Sequence, residues 1–231
     1  MKRVWVTRAS PGAEETAARL LGLGFEPVVA PLLRVQAVAG GPLDLTGVAA
    51  LAFTSANGVA AYSDRCAERA LPVFAVGAAT ARAARARGFA SVVSADGDVA
   101  TLARTIVAQG PLSGVVLHPG AAELAGNLSG DLAARGVPAR TVAVYETVAQ
   151  ALDIGAADWT SDLDGVLLHS PKAARLLADF LARHPAAPLT AVCISPAAAE
   201  PLSSTGLANV AVARAPTEEA LFIRLTEVLP Q

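Results

Sequence analysis

The stretch RTVAVYETV, residues 140–148, decides how the chain is divided. On strict alternation Val142, Val144, Glu146 and Val148 share one face, and Thr141, Ala143, Tyr145 and Thr147 share the other. The second face is smaller and more polar, so its phenol is expected to point to a cleft or to solvent. The stretch reads as a strand and is not punctuated as a plain domain linker. An earlier stretch, PLLRVQAV (31–38), has similar length and character. Two such segments can pair as a two-stranded ladder. The chain then leaves a first domain through one strand, builds a second, and returns through the other. That reading gives a discontinuous domain of residues 1–35 and 149–231, an inserted domain of 38–142, and linker strands at 31–38 and 140–148. Two consecutive domains divided near residue 112 fit the same residues.

Short apolar runs recur, each followed by a small-residue turn and an alanine-rich helical pattern. They are VWVT (4–7), LAFTS (51–55), VFAVG (73–77), VVLHPG (115–120), VLLHS (166–170) and AVCIS (191–195). Strand and helix signals in alternation predict an α/β fold with parallel strands and right-handed crossovers. The units also match in order. The unit starting at residue 4 resembles the one at 115, the unit at 51 resembles the one at 166, and the unit at 74 resembles the one at 192. Nearly constant spacing in the same order reads as an internal duplication.

Composition narrows the class. The chain of 231 residues is 53% hydrophobic and 16% charged, which predicts an ordered core rather than disorder. A net charge of −2 carries no nucleic-acid footprint. No apolar run approaches the roughly 20 residues of a spanning helix. The start, MKRVWVTRAS, turns polar too soon for a signal-peptide core. A soluble, cytoplasmic protein is expected, and Cys66 and Cys193 are expected to be free thiols in a reducing compartment.

Several chemistries lack their motifs. No dinucleotide fingerprint is present, and in GLGFEP (22–27) Gly24 reads as a helix C-cap. No phosphate loop and no nucleophile elbow occur. His118, His169 and His184 lack metal-ligand spacing, so no metal and no cofactor is expected.

What recurs is a polar turn at the end of each strand: TRAS (7–10), TSAN (54–57), GAAT (77–80), HPG (118–120), HSPK (169–172) and SPA (195–197). In a parallel sheet these turns line the carboxyl edge, where ligands bind. Each opens a helix whose first N–H groups are unpaired and favour anions. Ser and Thr there are also ordinary N-caps. Taken together, the turns suit a large polyanion held by backbone dipoles, which a protein of slightly negative charge can still bind. Arg8 and Lys172 sit at turns, Arg34 and Arg140 beside the linker strands. His118 and His169 close strands in different domains. Tyr145 carries a phenolic proton that it can donate to a leaving hydroxide.

These pieces carry a resemblance. VTRASP, LAFTSANGV, VFAVGAATARAARARGF, LAARGVPARTVAVYETV, LLHSPKAA and CISPAAAEPL, in that order, resemble uroporphyrinogen-III synthase over nearly the whole chain. The resemblance implies two flavodoxin-like parallel-sheet α/β domains, duplicated and joined by a two-stranded β ladder, with the active site in the cleft. It implies a monomeric, cofactor-free lyase of tetrapyrrole biosynthesis, the route to haem, sirohaem, cobalamin and chlorophyll. The substrate is hydroxymethylbilane, a linear tetrapyrrole octacarboxylate supplied by hydroxymethylbilane synthase. Loss of hydroxide gives an azafulvene, the substituted carbon of ring D attacks to form a spiro intermediate, and fragmentation and reclosure invert ring D. Neither nucleic acid nor membrane is implied as a partner.

By position, the family's functional tyrosine falls on Tyr145, as donor to the leaving hydroxyl. Its turn residues fall on Thr7 and Arg8, Thr54 and Ser55, Thr80 and Ser170. With His118, Gly120, Lys172 and Ser195 from the other turns, these form the expected substrate-binding set. Two departures stand out. Ala198 and Ala199 occupy a turn where the family often has threonine, and LHPGAAE lacks the arginine and glycines of many members. A non-catalytic two-domain binder of a small molecule, or a regulatory protein of the same fold, is the alternative of a different class.

Overall fold

The computed structural model describes residues 1–124, 126–152, 162–184 and 189–230. In chain order the elements are β1 (Arg3–Val6), α1 (Gly12–Gly22), β2 (Glu26–Val29), β3 (Leu33–Ala37), β4 (Val48–Phe53), α2 (Ala56–Arg65), β5 (Val73–Ala75), α3 (Ala78–Ala86), β6 (Val92–Ser94) and α4 (Val99–Ala108). They continue with β7 (Val115–Ala121), α5 (Leu128–Ala133), β8 (Ala139–Ala149), β9 (Gly165–Leu168), α6 (Pro171–Arg183), β10 (Thr190–Cys193), α7 (Pro196–Ala199), β11 (Asn209–Val212) and α8 (Glu218–Val228). The chain divides into two compact units, Met1–Arg34 with Val148–Gln231, and Val35–Thr147.

Unit 1 is built on a five-stranded sheet in the order β11-β10-β9-β1-β2, all pairs parallel. Alternation along β1 divides its core between two faces. Trp5 packs with Val166, Leu168 and Cys193 under Leu177 and Phe180 of α6. Val4 and Val6 pack with Leu167 and Val192 under Leu20 of α1 and Leu221 and Leu225 of α8. Helices therefore cover both faces, which is why the strands read as apolar runs rather than half-polar ones.

Unit 2 holds a six-stranded sheet in the order β3-β8-β7-β4-β5-β6. The β7–β8, β4–β7, β4–β5 and β5–β6 pairs are parallel. One face packs Ala50, Ala52, Phe74 and Val116 against Leu102 and Ile106 of α4 and Leu132 of α5. The other packs Leu51, Phe53, Val73 and Leu117 against Val59 and Tyr62 of α2 and Ala84 of α3. The chain passes between the units twice, once within β3 and once within β8, and these strands are neighbours in the sheet. Val38 N–H donates to the Val144 carbonyl at 3.0 Å, and Gln36 Nε2 to Glu146 Oε1 at 2.6 Å.

Local sequence accounts for the helix ends. Ser55, Asp98, Ser170, Ser195 and Thr217 each accept a hydrogen bond from the backbone N–H three residues on, satisfying one orphan donor of the helix they open. Gly24, with φ of 82°, closes α1: its N–H reaches the Leu21 carbonyl and that of Phe25 the Leu20 carbonyl. This is the paired Schellman arrangement, which needs a left-handed residue at that position.

One expectation about β8 is corrected. The register with β7 runs His118 to Thr141, Pro119 to Val142 and Gly120 to Ala143, then jumps from Ala121 to Tyr145. Val144 is the extra residue of a bulge. Residues 120 and 121 of β7 face opposite ways, so their partners Ala143 and Tyr145 do too. Tyr145 therefore does not share a face with Thr141 and Ala143. It joins Val144 and Ala61 in a small apolar cluster and is only 8% exposed, rather than lying on a thin polar face.

Candidate functional site

The bulge carries the Tyr145 phenol to the start of α2. Its Oη lies 2.9 Å from Ser55 Oγ. Ser55 is also the N-cap of α2, accepting from Gly58 N–H at 3.1 Å. Gly58 is required by the packing: a Cβ there would stand 2.7 Å from the Pro119 carbonyl oxygen. That close approach sets the first turn of α2 against the end of β7. The other tyrosine, Tyr62, is wholly buried beside Phe53 and Phe89 and belongs to the core.

Thr54, the residue before Ser55, takes part in a different network. Its Oγ1 lies 3.1 Å from His118 Nε2, and His118 Nδ1 lies 3.3 Å from Thr141 Oγ1. Thr141 Oγ1 in turn meets Ser129 Oγ at 2.6 Å. Burial pushes the His118 imidazole down to about 4, so at neutral pH it is an uncharged bridge between two hydroxyls. It is 2% exposed and carries no positive charge to offer a carboxylate. Gly120 lies against that ring, since a Cβ there would sit 3.1 Å from it. Thr80, on the first turn of α3, is buried.

At the carboxyl edge of the unit 1 sheet, Thr7 is fully buried and its hydroxyl donates to the Leu167 carbonyl at 2.7 Å, tying β1 to β9. Arg8 donates to Glu218 Oε1 at 3.0 Å and to Thr16 Oγ1 at 3.3 Å, with its guanidinium laid over Gly12. Glu218, the first residue of α8, also accepts from Thr16 Oγ1 at 2.6 Å and from Arg19 at 3.4 Å, and His169 Nε2 approaches to 3.6 Å. The His169 ring, then Thr16 and Arg8, hold its carboxyl down at about 2 against the effect of burial. Ser170 caps α6 through Ala173 N–H, and Lys172 lies in the first turn of that helix. Ser195 caps α7, a single turn of four residues whose dipole is correspondingly small.

The structure thus brings Ser55 to Tyr145 and Thr54 to His118 in unit 2, and gathers Arg8 and His169 around Glu218 in unit 1. Thr7 lies wholly within the fold. Sequence reading passed over Glu218, Thr141, Ser129 and Gly58. Glu218 follows the capping threonine in TEEA, a helix-start signal. Pro119-Gly120 inside a strand pattern was a signal for the bulge. Among the described residues no group of His, Cys, Asp and Glu stands close enough to hold a metal ion. Cys66 and Cys193 are free, and burial pushes the Cys193 thiol up to about 12.

The model of one protein family, uroporphyrinogen-III synthase HemD, matches residues 14–223. The chain belongs to the uroporphyrinogen-III synthase family. Among solved structures, the uroporphyrinogen-III synthetase of Helicobacter pylori 26695 superposes with a TM-score of 0.62 at 17% identity, covering 99% of this chain and 100% of that one. At that identity the match speaks for a shared fold. A mutant uroporphyrinogen III synthase from the extremely thermophilic bacterium Thermus thermophilus matches at 18% identity with a TM-score of 0.49, covering 99% and 97%. A search of curated proteins finds no match. Membership of the uroporphyrinogen-III synthase family accords with an α/β architecture of two sheets built largely from parallel pairs. No helix among the described residues is long and apolar enough to cross a membrane.

Proposed function

We propose that this chain is a uroporphyrinogen-III synthase: a lyase that closes hydroxymethylbilane into uroporphyrinogen III with inversion of ring D. The observation that carries the reading is the family match over residues 14–223. The Tyr145 phenol beside Ser55 is the group in unit 2 suited to the first chemical step.

Tyr145 passes its proton to the departing hydroxyl as the C–O bond breaks, and water leaves. The pyrrole nitrogen supplies the electron pair that forms the azafulvene. The substituted carbon of ring D attacks the methylene, and the spiro intermediate fragments and recloses on the other ring D carbon. That carbon then sheds its proton, so the reaction loses one water overall. Most of the barrier lowering comes from folding the bilane so that the right carbon meets the methylene. Capped helix starts at Ser55 and Ser170, with Lys172 beside the latter, supply donors for its carboxylates. Arg8 serves with Glu218 as an ordered pair at the other strand end.

We further read the two units as copies of one flavodoxin-like plan joined by a two-stranded ladder. Equating β1 with β7, β2 with β8 and β9 with β4 puts β2-β1-β9-β10-β11 and β8-β7-β4-β5-β6 in the same order. A cytoplasmic monomer fed by hydroxymethylbilane synthase completes the reading. The test is direct. Freshly made hydroxymethylbilane is supplied and the product isomers are separated. Uroporphyrinogen III is expected; accumulation of the uninverted isomer alone would leave a non-catalytic binder of the same fold.

A further inference from the structure

We infer that Ser55 is a positioning residue: its hydroxyl donates to the Tyr145 oxygen and so frees the phenolic proton for the substrate. This rests on the proposed synthase reaction and assigns a role to a side chain expected only to touch substrate.

Ser55 Oγ already accepts from Gly58 N–H at 3.1 Å. Its other neighbour is Tyr145 Oη at 2.9 Å, a contact that takes one donor although both groups carry a proton. If the phenol donated, Ser55 Oγ would accept twice and the phenolic proton would be spent inside the protein. If Ser55 donates, its cap is kept, its O–H is satisfied, and the phenol accepts on one lone pair while its own proton is turned outward.

The surroundings hold both partners in place. Gly58 lets α2 approach the Pro119 carbonyl, which a Cβ would meet at 2.7 Å, so the capped turn is set against β7. The bulge at Val144 brings Tyr145 to that face, and Ala61 and Val144 pack its ring. The torsion of the phenolic O–H is the freedom left, and the Ser55 hydrogen bond sets it. As the proton goes to the departing hydroxyl, the developing phenolate keeps the Ser55 donor, and a hydrogen bond to an anion is the stronger kind. The proton shed by the reclosed ring D carbon restores the phenol, so Ser55 retains its own proton throughout.

Steady-state kinetics of Ser55→Ala, Ser55→Asp and Ser55→Thr, with Tyr145→Phe and the Ser55→Ala/Tyr145→Phe double variant, test this. Ser55→Ala is expected to lower kcat about tenfold with KM within about twofold. Ser55→Asp keeps the capping acceptor but has no proton to donate, and is expected to fall at least as far. Ser55→Thr, which keeps acceptor and donor, restores kcat to within about threefold of the parent. In the Tyr145→Phe background Ser55→Ala costs nothing more, because its effect passes through the phenol. Three results would overturn the assignment: a raised KM with unchanged kcat, losses that multiply in the double variant, or a Ser55→Asp protein at parental kcat. Should Ser55→Ala fail to fold, the Ser55→Asp comparison decides. Failure of the parent protein to form uroporphyrinogen III would instead sink the reaction itself.

Discussion

Arg8 and Glu218, 210 positions apart in the chain, meet at 3.0 Å where the end of β1 faces the start of α8. The carboxylate also takes Thr16 and Arg19 of α1, so one side chain ties the first and last helices of unit 1. The pairing holds the guanidinium in one place within unit 1.

Glu218→Gln is expected to destabilise the fold by about 1 kcal/mol at neutral pH, since the hydrogen bonds lose their charge. The pH dependence has a definite sign. The folded carboxyl is held at about 2, below its ordinary 4.5. Its contribution is therefore full above the unfolded value and is lost as pH falls from about 4.5 towards 2. Urea midpoints of the two proteins should converge across that window; a gap independent of pH would contradict the linkage.

Tyr145→Phe removes the proposed proton donor and leaves the ring packed on Ala61 and Val144. Turnover is expected to fall on the order of a hundredfold with little change in KM. Circular dichroism melting should match the parent. Parental turnover would demote the phenol to packing.

Gly58→Ala tests the close approach of α2 to β7. Alanine is the better helix former, but its Cβ would meet the Pro119 carbonyl at 2.7 Å. The steric term dominates, and a loss of about 1–3 kcal/mol is expected in denaturant titrations. Turnover should fall with it, because Ser55 moves with the turn. An unaltered or raised stability would mean that the helix start gives way freely.

His118 is expected to stay neutral well below the usual histidine range. Its folded value is pushed down to about 4 by burial, from 6.5. The unfolded chain thus binds the proton more readily, and the stability tied to this group is lost as pH falls from 6.5 through 4. His169, also lowered by burial, adds loss of the same sign. Histidine titration by NMR should place the His118 ring near the low end of this window. His118→Gln should flatten the acid loss in part.

Much of the architecture was legible from neighbouring residues alone. Apolar runs such as VLLHS and AVCIS mark strands because both sheet faces are covered. Ser55, Ser170 and Thr217 mark helix starts because the donor they cap lies three residues ahead. Gly24 marks a helix end because only a left-handed residue closes that turn. The candidate turns were legible in part: Thr7, Thr54, Ser55, Ser170 and Ser195 lie just past strand ends, and Thr80 and Lys172 lie in the first turns of α3 and α6. HPG (118–120) is corrected: His118 and Gly120 lie inside β7, which runs to Ala121, and the next helix opens only at Leu128.

What those side chains touch was decided by the tertiary structure. The face that Tyr145 occupies depends on a mismatch of one residue between β7 and β8, which alternation along β8 alone does not contain. The neutral state of His118 depends on burial between Thr54 and Thr141, brought from separate strands. Arg8 reads as a free cation until α8 delivers Glu218. By itself the sequence determined the alternation of strands and helices and several helix caps, because those interactions span a few residues. Only the folded chain decided which strand ends share partners, because register and burial are properties of packed elements.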